Sequence, residues 1–497
     1  MNARPTSPTK VAVAVVEEFL SLTVSKTRTR VLVFLLLSNH PPHTCIFFVG
    51  SENTHAIALY NVLDAQLSSP GGLSIVYGKH ANNGDITVTS VQYPVHEAEK
   101  ATIEDWRERL LKLAYGDAQR FKRLKVLINP FGGKGRAAKL YETYAAPVFA
   151  AAKCQVDVQY TTHSGHASEI AEQIDIDAYD AIVCCSGDGL PYEVFNGLGR
   201  RKDAFRALHN VAVAMIPCGS GNAMAWNLSG TASVSVTALT IVKGLRTPMD
   251  LMSVTQGNKR SLSFLSQSFG IVAECDLGTE HMRWMGAHRF TVGFLLRILR
   301  KTVWPCDLAM KVEIGDKKSI KRHYVTSTHK NPSRREQLSR EEAAAARGIA
   351  NGGGLPDLKY GTVMDPLPED WTTIPNSQNT GVFYAGNMAI VSEDTDFFPA
   401  AFPDDGLMDI VVVDGTIPRT TTLKMMDQVG QGEFVDMPDV HYWKVSAYRL
   451  MPHQKEGYIS VDGESIPFEP FQVESHRALG TVLSKSGYIY EADGPSE

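Results

Sequence analysis

Three short stretches set glycines beside polar side chains at the ends of apolar runs: NPFGGKG (129–135), SGDG (186–189) and PCGSGN (217–222). Glycine lets backbone N–H groups approach a polyphosphate closely, and the free N–H groups of a following helix start receive its anionic oxygens. In the first stretch Lys134 is followed by Gly135 and Arg136, so it lacks the spacing and the Ser or Thr that a P-loop uses on magnesium. Asp188, between Gly187 and Gly189, has no reason to attract phosphate. Two tasks fit a carboxylate there, holding magnesium or taking the proton of an attacking hydroxyl. The plainer one is capping the helix that begins near Pro191. TTHSGHASE (161–169) offers Thr162 and His166 at a further junction, and reads equally well as a solvated helix start.

The segments around these turns must position them. LKVLIN, VDVQYT, DAIVCCSG and VAVAMIP are short β-rich runs without alternation, which predicts strands covered on both faces. Helical patterns at 136–152, 165–174, 189–199 and 221–243 fall between or after them, predicting a parallel sheet flanked by helices with the turns at its carboxyl edge. After Asp250 the chain turns β-rich, with helical stretches only at 282–300 and 419–430, and predicts a second, all-β domain, a sandwich or partly closed barrel. Within it, residues 328–380 read as an exposed or disordered insertion. Upstream lie a loosely ordered tail (1–40) and a small β-rich module (41–120) that ends in the helix TIEDWRERLLKLAYG. The expected boundaries are therefore 1–40, 41–120, 121–250 and 251–495.

Composition narrows the class. At 497 residues, 43% hydrophobic and 21% charged, the chain reads as a multidomain globular protein. A net charge of −5 gives no general attraction to nucleic acid. The cysteines (Cys45, Cys154, Cys184, Cys185, Cys218, Cys275 and Cys306) show no CxxC spacing and suit a reducing, cytoplasmic setting. No run reaches the 18 or so apolar residues of a membrane-spanning helix. The nearest, RVLVFLLLSNHPPHTCIFFVG, is split by HPPH and reads as buried strands or an irregular extension, ahead of an interfacial membrane contact.

Taken in order, NPFGGKG, SGDGLPYEVFNGL, PCGSGNAMA, FLSQSFGIVAECDLGTEHMRWMGAHRFTVG, DGLMDIVVVDG and SVDGE resemble the sphingosine kinases, and more closely the fungal long-chain-base kinases of the diacylglycerol-kinase catalytic superfamily. The resemblance runs from about Leu124 to the last strands. It implies an ATP- and Mg²⁺-dependent lipid kinase, with an ATP-binding α/β domain at 121–250 and a lipid-binding antiparallel β-sandwich at 251–495. It places ATP against Asn129, Pro130, Phe131, Gly132, Gly133, Lys134 and Gly135, against Thr162 and His166, and against Ser186, Gly187 and Gly219, Ser220, Gly221 and Asn222. Arg283 and Arg289 match basic residues that reach the phosphates. Asp462, Gly463 and Glu464 match a triplet close to the nucleotide and its metal.

Asp188 then corresponds to the general base for the lipid's primary hydroxyl, with Gly189, Leu190 and Pro191 lining the head-group side. Asp276, with Ser266 nearby, corresponds to the residue that holds the head group. A sphingoid base carries an ammonium that suits a partly buried carboxylate, whereas a diacylglycerol would leave Asp276 unpaired, at roughly 1–3 kcal/mol. Phe290, Phe294 and Ile298 read as core packing that also walls the lipid channel. Two departures stand out: Phe131 occupies a position often basic in the family, and TTHSGHA lacks the arginines of some relatives. A lipid substrate also implies peripheral contact with a bilayer, while a homodimer is left open. The alternatives are a ceramide or diacylglycerol kinase, and a catalytically silent lipid-binding protein.

Overall fold

The computed structural model describes residues 16–24, 29–36, 45–49, 54–68, 72–94, 100–278, 303–328, 353–375, 377–430 and 432–495. They fall into two compact units. One comprises residues up to Arg120 together with Ala150–Lys153, and the other Phe121–Phe149 with Cys154–Glu497.

In the first unit, strands Val16–Val24, Thr29–Leu36, Cys45–Val49 and Thr54–Ala58 form an antiparallel sheet in chain order. The expected loose tail is thus corrected over 16–24 and 29–36. The boundary at residue 40 falls inside a sheet, because the ladder from Leu32↔Val49 to Leu36↔Cys45 runs across it. The two apolar pieces on either side of HPPH are paired strands, Thr29–Leu36 and Cys45–Val49, each taking up the other's backbone groups, and HPPH itself lies outside the described residues. A three-stranded meander follows (Val62–Ser68, Gly72–His80, Ile86–Pro94), then the helix Lys100–Tyr115. That helix buries Ile103, Leu110 and Leu111, and Tyr115 Oη donates to Leu63 O at 2.7 Å.

In the second unit the elements are numbered from its own start. Strands β1 (Arg123–Ile128), β2 (Gln155–Tyr160), β3 (Ala181–Ser186) and β4 (Ala212–Pro217) form a parallel sheet in the order β2-β1-β3-β4. Every residue of β3 and β4 is buried, as runs without alternation require, but β2, also expected to be covered on both faces, is the edge strand and exposes Val156, Val158 and Tyr160. Helices α1 (His166–Gln173), α2 (Gly189–Gly199), α3 (Ala204–Asn210), α4 (Ala223–Ser229) and α5 (Val234–Lys243) accompany it. The single helix expected at 221–243 is two. Gly230 takes a left-handed φ of 69° at the end of α4, a conformation that ends a helix cheaply only at glycine, and Ser233 caps α5 by accepting from Val236 N–H.

The β-rich part comprises β5 (Leu245–Gln256), β6 (Lys259–Ser263), β7 (Ser266–Gly270), β8 (Cys306–Ile314), β9 (Thr380–Gly386), β10 (Met408–Asp414), β11 (Val440–Pro452), β12 (Ile459–Val461), β13 (Glu464–Ile466) and β14 (Phe471–Ser484). Its helices are α6 (Ile271–Leu277), α7 (Lys317–Thr328) and α8 (Arg419–Val429). The path β13-β12-β7-β9-β10-β11-β14 is antiparallel, and β14 then meets β4 in parallel at Val482↔Val213. One strand therefore serves both halves, and the boundary expected at residue 250 lies within β5, which is laddered to β14 from Leu245↔Ser484 to Thr255↔Gln472. Asp250, fully buried, ties this seam by accepting from Ala478 N–H (2.7 Å) and Gly406 N–H (2.6 Å).

Residues 353–375 correct the expectation of an exposed or disordered insertion. Glu474 accepts from Lys359 N–H and Tyr360 N–H, Arg449 donates to Thr362 O and Asp365 O, and Gln472 Nε2 donates to Tyr360 O and Gly361 O. Trp371 is buried edge-on to Tyr360. A polar segment is held here by buried polar partners a hundred residues away, which its own composition does not reveal.

Candidate active site

The glycine turns follow β1, β3 and β4 at one edge of the parallel sheet. A Cβ on Gly219 would lie 2.4 Å from Gly187 Cα, so these two turns pack backbone to backbone and only glycine fits. Asn129 N–H donates to Cys185 O, which ties the first turn to the end of β3, and Asn129 Oδ1 accepts from Phe131 N–H at 3.0 Å within the turn. Asn222 differs from its expected nucleotide role. Its side chain is buried and spent on Gly219, accepting from Gly219 N–H (2.7 Å) and donating to Gly219 O (3.0 Å), so it shapes the turn.

Asp188 stands at the start of α2, half-buried. Its Oδ2 accepts from Ala223 N–H (3.1 Å) and its Oδ1 from Met224 N–H (3.0 Å), both at the start of α4. These bonds fix the carboxylate and favour its charge. Burial outweighs them and raises its pKa above the ordinary carboxylate value. An ionised carboxylate has about four lone-pair sites, so two bonds leave it able to take a proton.

A crevice of about 1690 Å³ opens beside it, lined by Asp188 and also by Asp276. Asp276 lies on α6, in a stretch whose sequence reads as strand, and its Oδ2 accepts from Ser460 Oγ at 2.8 Å. Ser266, buried at the start of β7, donates through Oγ to Tyr384 Oη at 3.2 Å. Ile271, Val272, Trp304, Met425 and Phe434 give the crevice apolar walls.

The same crevice collects Asn129, Phe131, Gly132 and Lys134 from the first turn, Ser186 to Leu190 from the second, and Gly219 to Asn222 from the third. Ser266 and the Asp462–Glu464 triplet line it as well. Pro130, Gly133 and Gly135 are not among its lining residues, and Pro191 is buried within α2 instead of facing the head group. Thr162 and His166 also stand off it: Thr162 N–H donates to His166 Nδ1 at 3.0 Å, closing the loop on itself, and Thr161, His163 and Ser164 take the lining positions. Arg283, Arg289 and the Phe290–Ile298 stripe lie outside the described residues.

Asp462 departs most from expectation. It is buried, with a left-handed φ of 53°. Its oxygens accept from Ser263 Oγ (2.6 Å) and from the N–H groups of Phe264 (2.9 Å), Leu265 (3.0 Å) and Ser266 (2.9 Å). Burial pushes its pKa up to about 6. With three donors on Oδ1 and one on Oδ2, this carboxylate is committed to the chain and fits a metal ligand poorly. Glu464, exposed on the crevice wall near Gly189, fits better. Among the described residues no three His, Cys, Asp or Glu side chains cluster as a ready metal cage.

Among the lining residues that the sequence reading did not single out, two polar ones bear on the site. Glu193 accepts from Gly165 N–H (2.9 Å) and Ala167 N–H (3.1 Å), holding the loop before α1. Its place in SGDGLPYE, five residues after Asp188 on a helix, was the available signal. Tyr384 sits in an apolar strand and gave none.

The diacylglycerol kinase catalytic domain model matches residues 123–254, the YegS C-terminal NAD kinase beta sandwich-like domain residues 374–483, and a domain of unknown function residues 13–116. The chain is 37% identical over 447 residues to sphingoid long chain base kinase 5 of Saccharomyces cerevisiae, covering 81% of this chain and 65% of that protein. It is 38% identical over 379 residues to sphingoid long chain base kinase 4 of Schizosaccharomyces pombe, covering 76% and 78%. Sphingosine kinase 1 of Rattus norvegicus is 30% identical over 75% of this chain and 92% of its own. Three glycine turns and the two carboxylates of Asp188 and Asp276 in one crevice thus coincide with relatives of one kind: the chain belongs to the sphingoid long-chain-base and sphingosine kinase family.

Proposed function

We propose that this protein transfers the terminal phosphoryl group of ATP to the primary hydroxyl of a sphingoid long-chain base, such as sphingosine, dihydrosphingosine or phytosphingosine. The observation that carries this reading is that Asp188 and Asp276 open onto one crevice. The turns 131–134, 186–187 and 219–221 receive the phosphates through backbone N–H groups other than those of Phe131, Gly132 and Gly219, which are bonded within the protein. Asp188 takes the hydroxyl proton, and Asp276 pairs with the ammonium one carbon away. Catalysis is mostly positioning and charge neutralisation. Bound with the nucleotide, magnesium would neutralise phosphate charge, and Glu464 on the crevice wall is the side chain that would hold it.

The names of the fungal and rat relatives support the substrate class. Among the described residues no helix is long and apolar enough to cross a membrane. Collection of the lipid from a bilayer therefore calls for peripheral contact. The test is purified protein with magnesium-ATP and a panel of sphingosine, phytosphingosine, ceramide and diacylglycerol. Transfer to the two bases is expected to exceed transfer to the neutral lipids by at least about tenfold. Equal or better use of ceramide or diacylglycerol would overturn the reading in favour of a neutral-lipid kinase. Failure to transfer to any lipid would favour a silent lipid-binding protein.

A further inference from the structure

One hydrogen-bond donor on the crevice wall is unspent. Tyr384, on β9, is set against Phe397 and Phe398 with ring centroids 4.8 and 5.0 Å apart, which fixes its plane. Its Oη accepts from Ser266 Oγ at 3.2 Å and donates to no protein acceptor among the described residues. Burial first, and then the charges of Asp276, Asp462 and Asp188, hold this phenol well above its usual pKa, so it remains a donor at any working pH. None of the nearby carboxylates accepts from this phenol: Asp462 takes four other donors, Asp188 two, and Asp276 Oδ2 takes Ser460. A polar donor in a partly buried site costs free energy until something accepts from it.

Building on the reading of the chain as a sphingoid-base kinase, we infer that Tyr384 donates its phenolic hydrogen to the substrate's secondary hydroxyl, the one next to the ammonium-bearing carbon. A base spanning the crevice with its primary hydroxyl at Asp188 and its ammonium at Asp276 carries that oxygen one carbon further on, off the line between the two carboxylates. Tyr384 lines that crevice and is a neutral donor within electrostatic reach of both. Ser266 accordingly acts on the substrate through the phenol, setting its rotation by donating to it. A site built to bond a hydroxyl discriminates against an analogue lacking it, because the buried donor is left unpaired.

The experiment compares dihydrosphingosine with its 3-deoxy analogue, which keeps the amine and the primary hydroxyl, in wild type and Tyr384→Phe. Phenylalanine preserves the ring packing. Wild type is expected to prefer dihydrosphingosine in kcat/KM by about tenfold or more, and Tyr384→Phe to lose about tenfold on dihydrosphingosine alone, so the preference collapses. KM for ATP should not move. Ser266→Ala should show the same pattern at smaller size. Equal losses on both lipids in Tyr384→Phe would mean a structural role, and no loss would mean no contact; either overturns the inference. So does a change confined to preference for phytosphingosine, which would place the contact one carbon further. A wild type active on bases with an unchanged preference in Tyr384→Phe removes only this assignment, whereas a wild type inert toward every base removes the functional reading with it.

Discussion

The turns after β3 and β12 look alike in sequence, since each sets an aspartate beside glycine and each lines the same crevice. They use the carboxylate in opposite ways. Asp188 accepts two N–H groups, both from the start of α4, and keeps lone pairs toward the cavity. Asp462 accepts four hydrogen bonds from the consecutive run Ser263–Ser266 and is turned into the protein to knit β6 to β7. The contrast teaches that an acidic residue beside a crevice is chemical only to the extent that its lone pairs remain unspent. A motif gives the residue, and the donors around it decide the task.

The largest effect that tests this contrast is Asp188→Asn. Loss of a general base costs about 10²–10⁴ in rate, and kcat should fall by that order. Asn keeps one acceptor for the two N–H groups, so stability should drop by only about 1–2 kcal/mol in a denaturant titration. Near-normal turnover would break the comparison at once. A base works only when deprotonated, and burial raises Asp188, so the acid limb of the wild-type rate profile should lie above the ordinary carboxylate range.

Asp462→Asn should behave in the reverse manner. Its cost falls on folding, about 2–3 kcal/mol, because an amide N–H₂ then faces backbone donors. KM values of the folded fraction should change little. The pH dependence sharpens the point. The folded carboxyl titrates at about 6 and the ordinary value is 3.8, so the folded state takes up the proton first. Wild-type stability from this group therefore rises as pH falls from about 6 to about 4, by about 3 kcal/mol, a rise that the variant lacks. A large loss of kcat with unchanged stability would make Asp462 chemical after all.

Much of the framework is legible in the sequence because it is local. The helix pattern at 189–199 coincides with α2, and the four runs without alternation are β1 to β4. What escaped is long-range. Ser266 and Tyr384 meet across 118 positions, and Asp462 and Ser263 across 199. Residues 353–375 read as loop because Glu474, Arg449 and Gln472, which hold them, lie far down the chain. The stretch around Asp276 reads as strand because β-branched and apolar residues run on from β7. Gly270, at a φ of 83°, turns the chain into α6 instead.

Two smaller effects would separate the proposed lipid end of the crevice from the proposed nucleotide end. Asp276→Asn should lower kcat/KM for sphingosine by about tenfold to a hundredfold, the worth of a charge-assisted bond to the ammonium, while KM for ATP holds. An equal loss on a neutral lipid would count against the pairing.

Glu193→Gln should give the smallest change, and at the opposite end. Glu193 receives two N–H groups, one on each oxygen, from Gly165 and Ala167. The loop they belong to places Thr161, His163 and Ser164 on the crevice wall. Glutamine keeps one acceptor and turns an N–H₂ toward the other donor, so one charge-assisted bond is lost and the loop loosens by about 1 kcal/mol. KM for ATP should then rise about fivefold with KM for the base unchanged, because Glu193 acts on the nucleotide only through the loop it holds. A rise in the KM for the base instead would show that the loop before α1 communicates with the lipid end, and would erase the division of labour between the two ends of the crevice.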